Sequence, residues 1–237
     1  MVTTFVLVHG AYHGGWCWRR VADLLRRQGH TVFTPTLTGL GERAHLLGPE
    51  VGLTTMIDDV VAVVEAEELT DVVLVGHSFG ALPVLGATGP LAPRLRRPVI
   101  LDGIVVEPGS HGFAGLSADL VEARREAARR HPSGLAIPPP PAEFFGVIDP
   151  ADRAWVERRL TAHPLRTYTD PMPDGPWTAG LLVTYLRCTD PVFPGVAGVT
   201  DVVLGHGGRV LDLAAPHDAM ITHPDLLVAE LVSLADE

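Results

Sequence analysis

The sequence predicts an α/β fold, a mainly parallel sheet flanked by helices, and three observations predict it. Short β-rich runs alternate with stretches of helical periodicity through the N-terminal half. One run, Val72 to Val75, is apolar at every position, as a central parallel strand covered on both faces must be. At 237 residues the chain suits one α/β domain with an insertion.

In chain order, Phe5 to Val8 reads as the first strand, ending at His9-Gly10. The following helix carries Trp18, Val21, Leu24 and Leu25 on one face, and Gly29 stands where a left-handed cap would end it. Thr31 to Pro35 gives the next strand. Thr54 can cap a helix with Ile57, Val60, Val61 and Val64 at helical spacing, after which Asp71 leads into Val72 to Val75. Gly76 to Gly80 turns into a helix near Ala81, and Val99 to Val106 reads as another buried strand.

From Pro108 to Pro176 the strand signal gives way to frequent prolines, including the run Pro138 to Pro141. Ser117 is suited to cap one helix, and Asp149-Pro150 supplies an N-cap and N1 pair for another. Residues 108–176 are therefore read as a helical lid inserted into a core made of residues 1–107 and 177–237. Strand character returns at Leu181 to Cys188 and Arg209 to Leu213, and a last helix over Pro224 to Leu234 carries Leu227, Leu231 and Leu234 on its apolar face.

Composition narrows the function. Asp and Glu outnumber Lys and Arg by 28 to 18, which argues against a nucleic-acid partner. No apolar run approaches a membrane span, and the short run at Phe5 has no basic leader before it, so cytoplasm and no membrane partner are the expectation. Cys17 and Cys188 lie in no Cys/His cluster, so neither a metal nor a disulfide is expected. The expected partner is a small-molecule substrate, with a homodimer left open.

Gly76-His77-Ser78-Phe79-Gly80 is a G-x-S-x-G pentapeptide set between a buried strand and a helix, the context a nucleophile elbow requires. A serine on such a turn has strained backbone angles, and the flanking glycines let the bend pass close to its neighbours. Ser78 is thus the candidate nucleophile, and His77 is read as a packing residue. The N–H of Phe79 is one candidate oxyanion donor, and that of Ala11, in the loop after the first strand, is the other. Tyr12 and His13 follow in that loop as candidate substrate contacts.

The order Ser, acid, His places the base near the C-terminus. His217 follows the last strand and precedes the final helix, which favours it over His206 and His223. For the acid, Asp190 follows the strand ending at Cys188 and is preferred; Asp102 and Glu107 are the alternatives, while Asp218 is too close to the base in sequence to orient it. In the lid, Phe144, Phe145 and Trp155 are candidates to line an apolar acyl or aryl pocket, or else form the lid's own core.

The run His9-Gly10-Ala11-Tyr12-His13-Gly14-Gly15-Trp16-Cys17-Trp18, the Gly76 to Gly80 elbow and Pro216-His217-Asp218-Ala219-Met220 together resemble the α/β-hydrolase group of plant methyl esterases, hydroxynitrile lyases and bacterial aryl-ester or pyrethroid hydrolases. The resemblance implies an α/β-hydrolase fold and an ester-cleaving serine hydrolase without metal or cofactor, its helical lid over a mainly apolar pocket. Two departures stand out. The group places its acid one position later than Asp190 relative to Tyr185, where this chain has Pro191. Its hydroxynitrile lyases resemble one another in a lysine directly after the catalytic histidine, where this chain has Asp218. Ester hydrolysis through an acyl-enzyme is therefore preferred over a lyase or natural-product tailoring reaction at the same Ser/His site, and over a low-turnover ligand receptor.

Overall fold

The computed structural model describes residues 2–176 and 178–237. The chain forms β1 (Thr4–Val8), α1 (Arg19–Arg27), β2 (Thr31–Phe33), α2 (Leu53–Ala66), β3 (Val72–His77), α3 (Ala81–Leu91) and β4 (Leu95–Leu101). It continues through α4 (Ala118–Arg130), β5 (Ala136–Ile137), α5 (Pro150–Glu157), β6 (His163–Pro164) and α6 (Arg166–Thr169). The last part holds β7 (Thr184–Cys188), α7 (Val199–Gly205), β8 (Arg209–Leu213), α8 (Ala219–Thr222) and α9 (Pro224–Asp236).

Six strands make one sheet in the order β2-β1-β3-β4-β7-β8, every pair parallel. Alternate residues of each strand feed opposite faces. Val6, Val8, Leu74 and Ile100 pack with α2 and α3 residues, whereas Phe5, Leu7, Val73, Val75, Val99 and Leu101 pack with α1 and α9. Burial on both faces explains why these strands are apolar runs rather than alternating ones.

Strand order reverses at β1, whose neighbours are β2 on one side and β3 on the other, and the carboxyl ends of strands beside such a reversal form a ready crevice. Register then decides what meets there. Val8 pairs with Gly76 and His77 with Leu101, so the residues just past the strand ends, Gly10, Ser78 and Asp102, fall in one row across three neighbouring strands.

The expected strand Val99 to Val106 is displaced: β4 starts at Leu95 and stops at Leu101, because Asp102 turns the chain with φ +43°. The strands expected to run to Pro35 and to start at Leu181 are also shorter, and α2 begins at Leu53 with Gly52, not Thr54, at its N-cap. Ser117 caps α4 by accepting from the Leu120 N–H, and Asp149 caps α5 by accepting from the Ala151 and Asp152 N–H groups.

Between β4 and β7 lies the excursion containing α4, α5, α6 and the small antiparallel pair β5-β6. Its two ends are tied to each other: the Gly109 N–H donates to Met172 O and the Met172 N–H to Ser110 O, beside a bridge between His111 and Pro171. Residue 177, the expected start of the second core segment, lies outside the described residues.

Candidate active site

Ser78 sits at the tip of β3 with φ +53°, a left-handed conformation that a non-glycine residue adopts at a cost. The surroundings hold it there. Its carbonyl accepts from the Ile104 N–H at 3.0 Å. A Cβ at Gly76 would lie 2.7 Å from Gly80 O, and one at Gly80 would lie 2.4 Å from His9 O, so only glycine fits on either side of the bend. A Cβ at Gly10 would lie 2.8 Å from Ser78 Cβ and 2.9 Å from His77 Nδ1, so the first loop passes directly against the serine.

His217, buried on the loop after β8, points Nε2 at Ser78 Oγ, 3.0 Å away. Its Nδ1–H donates to Asp102 Oδ2 at 2.6 Å, which fixes the tautomer and leaves Nε2 to accept the serine proton. The other Asp102 oxygen accepts from the Cys188 backbone N–H at 3.1 Å, and the carboxylate is fully buried. His77 Nε2–H donates to His217 O at 3.0 Å and pins the base loop from beneath. Burial, and then the neighbouring His217 and His13, hold the His77 pKa well below its usual value, so it stays neutral.

The carboxylate at the imidazole is therefore Asp102, not the expected Asp190. Leu101 pairs with Leu186, so Asp102 lies opposite Arg187, immediately at the sheet rim, whereas Asp190 lies three residues beyond Arg187. That is about 10 Å of extended chain, and Asp190 is exposed on a turn. Glu107, the other alternative, meets His206 at 2.8 Å on the surface. Sequence reasoning placed Asp102 inside a strand; the signal that relocates it is the dipeptide Asp102-Gly103, a turn pair directly after an apolar run.

The Ala11 N–H makes no backbone hydrogen bond among the described residues, and Phe79 stands in the first turn of a short helix, where N–H groups lack intrahelical acceptors. Tyr12 has φ +68°, and its carbonyl accepts from the Thr161 N–H at 2.9 Å, so the excursion braces this loop.

His13 is buried with both ring nitrogens facing oxygen: Nδ1–H donates to Ala11 O at 2.8 Å and Nε2–H to Asp218 Oδ2 at 3.1 Å. Burial alone would lower its pKa, but the charge and hydrogen bond of Asp218, with the Ala11 carbonyl, outweigh it and raise the value. The Asp218 N–H donates to Phe145 O at 3.1 Å. A buried imidazolium–carboxylate pair thus joins the first loop to the base loop.

Of the expected pocket residues, Phe145 is buried 5.2 Å from the His13 ring and 6.3 Å from that of His217. Phe144 is half exposed and packs on Phe193. Trp155 is placed elsewhere, edge-on to Trp16 at 5.0 Å and stacked by Arg20 and Arg159, so it belongs to packing under the excursion rather than to the space beside Ser78. Phe193, not foreseen, stacks on His217 at 3.8 Å. Behind it a cavity of about 150 Å³ reaches Asp102 between Tyr185, Cys188 and Val196. A cleft of about 460 Å³ between Phe33, Arg43, Asp59 and Glu67 touches none of these groups.

Comparison with known proteins agrees with this geometry. The model of the Alpha/beta hydrolase family matches residues 5–230. A carbendazim hydrolyzing esterase of Nocardioides sp. (strain SG-4G) is 41% identical, the match covering 98% of this chain and 100% of that protein. An extracellular alpha/beta-hydrolase from a Paenibacillus species superposes with a TM-score of 0.84 at 23% identity, over 98% of each chain. A pyrethroid hydrolase from Sphingobium faniae JZ-2 superposes with a TM-score of 0.71 at 18% identity, over 100% of this chain and 98% of that one. With a whole-length relative and a family model spanning nearly every element described above, the chain belongs to the alpha/beta hydrolase family.

Proposed function

We propose that this chain is a carboxylic ester hydrolase acting on small apolar or aryl esters through an acyl-enzyme, with Ser78 as nucleophile, His217 as base and Asp102 as the acid behind it. The observation that carries the reading is the unbroken relay from Ser78 Oγ through the His217 imidazole to Asp102. Each link has a task. Asp102 holds Nδ1 protonated and stabilises the imidazolium formed when Nε2 takes the serine proton. Ser78 Oγ attacks the ester carbonyl, and the charge that develops on its oxygen is met by the N–H groups of Ala11 and Phe79, donors already oriented before reaction. Imidazolium then protonates the departing alcohol, and water activated by the same imidazole releases the acid and frees Ser78.

The full-length esterase relative supports the same class. Residues 108–176 act in this reading as the lid: Phe145 and the Thr161 brace reach the site from it. A cyanohydrin lyase is disfavoured because the position after the base is Asp218, whose carboxylate is committed to His13. A fluorophosphonate probe should add covalently to Ser78, and Ser78→Ala should abolish both labelling and hydrolysis of p-nitrophenyl esters. A folded wild-type protein that is neither labelled nor active would exclude the mechanism.

A further inference from the structure

Helix α4 turns one arginine inward. Val121, Arg124 and Ala128 share a face at helical spacing, Ala128 is fully buried, and Val121 packs against the core. On the outer face Arg129 and Arg130 pair with Glu122 and Glu126, which leaves those acids spoken for. Three arginines have a buried Nε without a partner, Arg97, Arg124 and Arg153; Arg97 pairs with Glu237 and Arg153 with Glu143, but Arg124 has no carboxylate partner among the described residues. In a chain with ten more acids than bases, an inward guanidinium without a counter-ion is an unfinished contact.

What surrounds it is close to the reaction. Arg124 Nη1 is 3.5 Å from the Tyr12 hydroxyl, at the outer limit of a hydrogen bond, and Tyr12 directly follows Ala11 in the loop against Ser78. Tyr168 packs edge-on to Phe79, the residue after the nucleophile, at 4.8 Å, and its hydroxyl makes no hydrogen bond among the described residues. Burial raises the pKa of both phenols, with Arg124 near enough to oppose the shift, so each remains an O–H donor at neutral pH. One charged donor and two phenols, whose oxygens donate as well as accept, thus lie beside the oxyanion loop, the Tyr12 and Tyr168 rings flanking His163 at 5.7 and 5.0 Å.

We infer that Arg124, with the hydroxyls of Tyr12 and Tyr168, forms a carboxylate-binding subsite, so that the preferred substrates are esters whose non-reacting part carries an anionic carboxylate. A planar guanidinium takes both oxygens of such a group, and the phenols supply the remaining donors. The subsite narrows the esterase reading, adding a carboxylate at the far end of an otherwise apolar or aryl substrate, and rests on Ser78 being the nucleophile.

The test compares mono-4-nitrophenyl glutarate with the uncharged 4-nitrophenyl valerate on wild type and Arg124→Met. The ratio of kcat/KM for the charged over the neutral ester should fall at least tenfold in the variant, and Arg124→Lys should recover part of it. A ratio that moves less than threefold, or an equal loss on both esters, overturns the subsite. If wild type hydrolyses neither ester and the fluorophosphonate leaves Ser78 unlabelled, it is the hydrolase reading that fails. The subsite is then judged by calorimetric titration of Ser78→Ala with the glutarate ester: binding at least tenfold weaker after adding Arg124→Met sustains it, and equal affinity ends it.

Discussion

Replacing Asp102 by asparagine changes one atom and sets two demands against each other. The carboxylate accepts from two donors at once, the His217 Nδ1–H at 2.6 Å and the Cys188 N–H at 3.1 Å. An asparagine side chain has one acceptor oxygen. If its oxygen faces His217, its NH₂ meets the Cys188 N–H, donor against donor inside the protein; if the oxygen faces Cys188, the NH₂ points at Nδ1 and the imidazole is stable only as the other tautomer, with Nε2 protonated toward Ser78 and unable to take its proton. The first keeps the base only by burying a donor against a donor, so the second is favoured, and the second removes the base. The loss in kcat expected for a wrong-tautomer imidazole is about 10⁴-fold, or about 5.4 kcal/mol of transition-state stabilisation. Burial and backbone support remain largely as they were, so the variant should unfold within about 2 kcal/mol of wild type. The assay is p-nitrophenyl butyrate hydrolysis by wild type, Asp102→Asn and Asp190→Asn, with urea unfolding as the fold check. Asp190→Asn should stay within about twofold of wild type, since an exposed turn residue without a partner at the site has little to lose. A loss above a hundredfold in Asp190→Asn beside less than tenfold in Asp102→Asn would refute the assignment.

Gly10→Ala should cost at least about a hundredfold in kcat/KM with some 1–3 kcal/mol of stability, because the new methyl would sit 2.8 Å from Ser78 Cβ and must push the elbow aside; activity within threefold of wild type would show that the first loop is not held against the serine. His13→Gln leaves the buried Asp218 without its cation and should destabilise by about 3–5 kcal/mol in urea unfolding, with Asp218→Asn added to it restoring part of the loss. Stability should also fall in mild acid. His9, whose pKa burial lowers to about 3, and the likewise depressed His77 and His163 are neutral when folded and titrate near 6.5 when unfolded. Depressed folded values mean that the stability is present above pH 6.5 and lost below it, by as much as about 4 kcal/mol between pH 7 and 5.5 for three groups; His13, raised in the fold, has the opposite sign, gaining stability as the pH falls toward 6.5, and offsets at most about 1 kcal/mol of that loss. Urea unfolding at the two pH values measures it, and a drop below about 1 kcal/mol would mean that at least one of the three is already charged in the fold.

The parts of the site that were legible in the sequence are those where one local signal suffices. Gly76 and Gly80 announce a bend that only glycines can make, and an apolar run before them says that the bend ends a buried strand, so Ser78 follows without any long-range information. His217 follows from chain order and from lying between a strand and a helix. Trp155 was out of reach: aromatic residues in an irregular segment carry no mark of which neighbour they pack against, and here the neighbours are Trp16 and two arginines. Phe193 was missed for the same reason, since its contact with His217 joins two loops with no shared pattern. Element cores were read well and ends less so; the start of β7 at Thr184 rather than Leu181 depends on where pairing with Arg209 and Val99 begins, which no single strand contains.

The acid is the instructive error, because the physics allowed both answers. β4 and β7 are adjacent and parallel, so a carboxylate just beyond either strand leaves the sheet on the same rim and can approach the same imidazole. What separates the two is distance past the rim and what else the carboxylate finds there. Asp102 leaves β4 with φ +43° and accepts from the Cys188 N–H, a donor that β7 offers at its last residue. The acid and the neighbouring strand therefore complete each other: β7 supplies a hydrogen bond to the buried Asp102 carboxylate, and Asp102 satisfies a backbone group that would otherwise be stranded at the end of the strand. Asp190, beyond the last β7 pair, is offered no such donor and turns to solvent. A buried acid in this position is thus selected by the free N–H at the end of the next strand as much as by the histidine it orients.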